Sequence, residues 1–125
     1  MIHLVNFKAQ FAASVLRGRK RQTMRLRRKR PIQEGDTLRL YTGLRTKEAV
    51  LLREVEVKEV RSCRLFEGGI FIDTRSGLQA DWTKGDSQAG TKLANADGFA
   101  DYDEMLAFFK KLYGEQPIHL ELIKW

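Results

Sequence analysis

One cysteine, two histidines and no long apolar run set the first limits on this chain. Cys63 has no second cysteine with which to close an internal disulfide, and together with His3 and His119 it makes a poor metal set. No histidine pair stands out for the acid–base work of a ribonuclease. No apolar stretch approaches the roughly 20 residues that a bilayer span requires. The opening Met1-Ile2-His3-Leu4-Val5-Asn6 lacks the charged, apolar and small-residue order of a signal peptide. The phosphate loop ending in Gly-Lys-Ser/Thr, the dinucleotide fingerprint, paired metal-ligand histidines and the Gly-x-Ser-x-Gly elbow are all missing. The expectation is a cytoplasmic protein with a free thiol, no cofactor, no metal and no membrane contact. Nothing in the sequence calls for a protein partner.

Acidic residues are missing from one stretch, and this absence says most about what is present. Nine of the 23 basic residues fall between Arg17 and Arg30 with no carboxylate among them. The rest of the chain carries 14 basic groups against 16 acidic ones, so the net charge of +7 is a local excess. A concentrated positive field attracts phosphates and polyanions, whereas an evenly basic surface mostly serves solubility. With 125 residues, 42% of them hydrophobic, the chain fits one domain with one core.

Ile2 to Val5 reads as a strand, and Phe7, Phe11, Val15 and Leu16 recur at helical spacing behind it. Gly18 suits the end of that helix, because glycine accepts the left-handed backbone that helix ends favour. After the basic segment and the turn Gln33-Glu34-Gly35-Asp36 comes the alternating run Thr37-Leu38-Arg39-Leu40-Tyr41. Ala49 to Val60 is strand-like, with Val60 out of register as at a bulge. Leu65-Phe66 and Ile70-Phe71-Ile72 bracket Gly68-Gly69 as a hairpin would. Residues 74–98 have little periodicity and read as a long surface excursion. Asp101 with Glu104 makes a capping-box pattern for a second helix, whose stripe is Tyr102, Met105, Leu106, Phe109 and Leu112 and which Gly114 ends. Ile118 to Trp125 is a final strand. The expected fold is α+β, with a largely antiparallel sheet and two flanking helices.

The run Gly18-x-Lys20-x-x-Thr23-x-Arg25 follows the first helix, and Gly35-Asp36 precedes the strand Leu38-Arg39-Leu40. Asp97-Gly98-Phe99 stands before the helix that begins at Asp101. In these residues the chain resembles the ASCH family of PUA-like β-barrels over nearly its whole length. The resemblance implies one PUA-like domain over residues 1–125, with a mostly antiparallel barrel and a cleft for RNA or modified bases. One bacterial branch of that family removes the acyl group from N4-acetylcytidine and similar nucleosides with a lysine, a threonine and an acid. Lys20 and Thr23 match the first two, and Asp97 stands near the family's glutamate. The partner so implied is a modified cytosine nucleoside or RNA.

The residues make that chemistry plausible in their own right. A threonine hydroxyl becomes a nucleophile when a base accepts its proton, and a lysine serves once its ammonium pKa is lowered. The arginines at 19, 21 and 25 would push Lys20 downward, as would burial. The i, i+3 spacing sets Lys20 and Thr23 on one face if residues 19–24 form a helical turn. Asp97 would orient the lysine. Gly18, Arg19, Arg25, Tyr41 and Trp82 are the expected substrate contacts, with Arg25 able to hold a phosphate, a base or an oxyanion. Tyr41 and Trp82 suit base stacking or plain packing equally. Arg21, Arg27, Arg28, Lys29 and Arg30 are the expected nucleic-acid contacts. The alternative is a non-catalytic RNA-binding module in which Lys20, Thr23 and Arg25 touch the RNA backbone.

Overall fold

A computed structural model describes the chain apart from residues 68, 74–78, 84–86, 115 and 116, and describes residues 79–83 and 87–89 by their backbone alone. Strand β1 (Ile2–Phe7) turns His3, Val5 and Phe7 inward and leaves Ile2, Leu4 and Asn6 outside, as a period of two requires. Helix α1 (Ala9–Leu16) follows after one residue and buries Phe11 and Val15. Phe7 therefore ends the strand instead of opening the helix, and Leu16 is exposed. Gly18, at φ 75°, takes the chain out of α1. The Arg19 and Lys20 amides both donate to the Ser14 carbonyl, which closes the helix end and turns Lys20 inward.

Strand β2 (Gln22–Arg25) lies inside the basic segment, where the sequence offered a helical turn. Its Gln22, Thr23 and Met24 are all buried, so burial overrides the local preference. Then come β3 (Thr37–Thr42) and β4 (Val50–Glu56), with a register shift between Leu40 and Tyr41. The run read as one strand over 49–60 is two: the chain leaves β4 at Val57 and Lys58 and enters β5 (Glu59–Phe66) in the other sheet. The expected hairpin forms, with β5 and β6 (Gly69–Asp73) paired Leu65 to Ile70 and Phe66 to Gly69. Strand β7 (Gln79–Thr83) and helix α2 (Ser87–Ala96) occupy the stretch read as a surface excursion.

The described residues thus hold three helices where the sequence promised two. Leu93 is the one large apolar side chain of α2, and with the buried Ala94 beside it no stripe is marked. Helix α3 (Tyr102–Tyr113) has the expected cap: Glu104 N–H donates to the Asp101 carboxylate at 2.8 Å, and Ala100 N–H donates to the Glu104 carboxylate at 2.9 Å. Strand β8 (Ile118–Lys124) closes the element order.

These strands form two sheets, β1-β3-β4 and β2-β8-β5-β6-β7. The second is antiparallel throughout, while β1 and β3 run parallel. The architecture is α+β and rich in antiparallel pairs, with one core between the layers. Among the described residues, backbone pairing does not close the strands into a ring. The chain crosses between the sheets at Val57 and Lys58. There Val57 N–H donates to the Asp36 carbonyl before β3, and Lys58 N–H donates to the Lys124 carbonyl of β8. On another side, arginine side chains reach β1 from β2 and from the residues after it: Arg28 donates to the Leu4 carbonyl at 2.8 Å and Arg25 to the Asn6 carbonyl at 2.5 Å. Cys63 is a buried free thiol that burial and nearby carboxylates push up to about 12. Among the described residues no helix is long and apolar enough to cross a membrane.

Candidate active site

Lys20, Thr23, Arg25 and Asp97 line one cavity of about 220 Å³ between β1, α1, β2 and α3. The walls are aromatic: Phe7 from β1, Phe11 from α1, Phe99 before α3, and Phe108, Phe109 and Tyr113 from α3. Phe11 meets Phe99 edge-on at 5.4 Å, and Phe99 lies 5.0 Å from Phe108. Such contacts fix ring positions before any ligand arrives.

The Lys20 ammonium sits 3.2 Å from an Asp97 carboxylate oxygen and also donates to the Asp97 main-chain carbonyl. Both residues are 3% exposed, so the pair is shielded from bulk water. Gln22 donates to the same carboxylate at 3.3 Å, and the Lys20 ammonium lies 5.0 Å from the centroid of Phe11. Burial pulls the Lys20 ammonium below the ordinary lysine range, and Asp97 opposes it. Burial likewise lifts the Asp97 carboxyl, against Lys20 and Gln22. The two shifts converge, which lowers the free energy needed to make a neutral amine. Arg25 lowers Lys20 only as a minor cause, and Arg19 and Arg21 are exposed. The downward push comes chiefly from lost water and not from the clustered arginines.

Thr23 reaches the cavity from β2, with its residue 4% exposed. Arg25, two residues along the strand, donates to Thr23 Oγ1 from Nε at 3.1 Å. Its guanidinium lies 4.8 Å over Phe7, and burial lowers its pKa to about 10, which leaves it charged at neutral pH. Lys20 and Thr23 thus reach one cavity from a turn that leads into a strand, and not from a helical turn. Gly98 holds the acid's neighbourhood together. At φ 100° its missing Cβ would stand 2.8 Å from Phe11 Cδ1 and 3.8 Å from Lys20 Cδ.

Other expected contacts lie elsewhere. Gly18 faces Arg53, 2.8 Å from where its Cβ would stand, and ends α1 instead of touching a ligand. Arg19 points to solvent because the helix end turns Lys20 inward in its place. Tyr41 pairs with Asn6 in the three-stranded sheet and does not line the cavity. Trp82 is in β7, but its side chain lies outside the described residues. Arg21 donates to the Gly18 carbonyl beside a separate hollow that Arg53 and Lys58 share. Arg28 is half-buried and spent on Leu4, while Arg27, Lys29 and Arg30 are exposed. The basic segment is therefore split among several surfaces. Asp36 pairs with His3 at 2.9 Å and accepts from the Gln33 amide at 3.0 Å.

Sequence reasoning missed Gln22, Phe11, Phe108 and Tyr113. Phe108 lies off the expected α3 stripe, and only the meeting of α1 with α3 explains why an aromatic stands there. Among the described residues no group of three His, Cys, Asp or Glu side chains could hold a metal ion. Compared with known proteins, the chain matches no family model, no curated protein and no solved structure.

Proposed function

We propose that this chain is an amidohydrolase that removes the acyl group from N4-acylated cytosine, on a PUA-like fold whose strands, among the described residues, form two sheets not joined into a ring. The reading rests on one observation: a buried Lys20–Asp97 pair shares an aromatic-walled cavity with a threonine hydroxyl that an arginine holds. A purely structural ion pair has no need of a hollow beside it, and perturbed titratable groups concentrate where chemistry occurs.

In this mechanism the cytosine ring enters between the aromatic walls. Lys20, as the neutral amine, takes the proton of Thr23 Oγ1 while that oxygen bonds to the acyl carbon. The carbonyl oxygen becomes an oxyanion beside the Arg25 guanidinium. The C–N bond then breaks, and the lysine returns its proton to the departing N4, which leaves the cytosine amino group. Water, deprotonated by the same lysine, attacks the threonine ester; the bond to Thr23 Oγ1 breaks, that oxygen takes back the lysine's proton, and the carboxylic acid leaves. Asp97 holds the lysine by its carboxylate and its carbonyl, and so fixes where the amine points. Conversion of N4-acetylcytidine to cytidine, followed by ultraviolet absorbance, tests this directly. Turnover above the uncatalysed rate is expected, and its absence with all N4-acyl cytidines tried would overturn the reading.

A further inference from the structure

A second and larger hollow plays no part in this mechanism. It has a volume of about 330 Å³ and is bordered by two carboxylates, Asp73 and Glu121, and by two guanidiniums, Arg27 and Arg64. We infer that it is a binding site for a small zwitterion, a molecule with an ammonium group at one end and a carboxylate at the other. Such a site is independent of deacylation.

Strand register sorts these charges along the sheet. Glu121 on β8 pairs with Ser62 on β5. Asp73 follows Ile72, which pairs with Cys63, and so comes level with Ser62 from the other side. The next row on the same face joins His119, Arg64 and Phe71 across β8, β5 and β6. Arg27 borders the hollow from beyond the end of β2, two residues past Arg25, which pairs with Glu121. The carboxylates thus share one row, and Arg64 stands in the next, about 7 Å along the strands. A ligand with separated opposite charges meets both rows at once.

Glu121 is the residue that calls for a ligand. It is 8% exposed, yet no hydrogen bond or ion pair reaches its carboxylate among the described residues. Arg25, its cross-strand neighbour, is turned instead to the Asn6 carbonyl and Thr23 Oγ1. A buried carboxylate without a partner is destabilising, and a structural role gives no reason to keep one. An ammonium group in the hollow supplies the missing charge and donors. Arg27 and Arg64 are exposed, have no carboxylate partner among the described residues, and suit the ligand's acid end. The Arg64 guanidinium lies 5.7 Å from the Phe71 centroid, and Phe71 stacks on Phe66 at 5.3 Å and 25°, which steadies the cation. Ser62 and His119 add further hydrogen-bonding groups. Two guanidiniums balanced by two carboxylates favour neither a polyanion nor a simple cation.

The test titrates γ-aminobutyrate, whose methylene chain holds its two charges apart, into the isotope-labelled full chain and follows backbone amide signals by NMR. Saturable shifts are expected at residues 62–64 and 119–121. Butylamine and butyrate each carry one of the two charges, and each should bind about tenfold more weakly or worse. Glu121→Gln keeps the shape, removes the charge and should weaken γ-aminobutyrate binding about tenfold, as should Arg64→Gln at the other end. Arg64 is exposed, so its variant tests the site even where the buried Glu121→Gln fails to fold. Lys47→Gln removes an exposed charge outside the hollow and should bind as wild type does. Four results would each overturn the site: no saturable shift at these residues, equal affinity for butyrate or butylamine, unchanged affinity in Arg64→Gln, or an equal loss in Lys47→Gln.

Discussion

Asp97 grips Lys20 twice, through a carboxylate oxygen 3.2 Å from the ammonium and through its own main-chain carbonyl. Only the first grip depends on the side chain. In Asp97→Asn the carbonyl still accepts, so Lys20 stays near its place but loses the charge that raised its pKa. Burial then acts on it with less opposition, and the acid limb of the kcat–pH profile should move to lower pH. The plateau should fall by about 10²-fold or more, as for a misplaced general base, with KM little changed. A merely structural Asp97 would leave the limb where it is.

The same pair makes a stability prediction. Asp97→Ala leaves the buried lysine without its carboxylate and should cost about 3–5 kcal/mol in urea unfolding. Replacing both partners by apolar residues, Lys20→Met with Asp97→Leu, should recover most of that loss, because neither buried charge then remains. If the double variant is no more stable than Asp97→Ala, the pair contributes more than it costs.

Thr23 should be indispensable through its oxygen. Thr23→Ala is expected to lose deacylation by about 10³-fold or more, as is Lys20→Ala, and the two together should be little worse than either. Thr23→Ser keeps the hydroxyl and should keep part of the rate. More than a tenth of the wild-type rate in Thr23→Ala would remove the nucleophile from the scheme.

Gly98→Ala should both destabilise and disarm the protein. The substitution forces a side chain onto φ 100° and into Phe11, at an expected cost of about 1–3 kcal/mol in urea unfolding. Because Lys20 Cδ lies in the same contact, kcat should fall with stability. Gly35→Ala has the same backbone penalty in open space and isolates the conformational part.

Asp36 gives the acid limb of stability. The Gln33 amide and the His3 ring hold its carboxyl below the ordinary 3.8. A depressed carboxylate contributes stability above its unfolded pKa and loses it as pH falls through the folded one. The melting temperature of wild type should therefore exceed that of Asp36→Asn by a constant margin above about pH 5. The margin should shrink below about 3.8.

What the sequence disclosed was whatever depends on near neighbours. Asp101 and Glu104 cap α3 because three residues separate them, and Gly18 ends α1 because its own backbone must turn left-handed. Lys20, Thr23 and Arg25 were legible as a charged, hydroxylated run of close neighbours. Asp97 entered through a resemblance, since nothing local ties it to a lysine 77 positions away. The aromatic walls were hidden for the same reason: Phe108 takes its role from Phe11, on another helix. Helix α2 escaped because its short side chains leave no periodic trace. The division of the basic run among separate surfaces was equally out of reach, for it follows from β2 lying between Arg21 and Arg27.

The arginines that bridge β1 and β2 have a bearing on how the chain behaves in company. An exposed strand edge invites another copy to add its own strand, and the usual defences are charge and occupied hydrogen-bonding groups. Here the Leu4 and Asn6 carbonyls are already taken by guanidiniums, whose charge persists at neutral pH. A crowded solution of this protein meets, at that edge, two positive groups and two acceptors already engaged. Edge-to-edge aggregation is thereby discouraged by side chains from the same strand that carries Thr23 to the cavity and from the residues just beyond it.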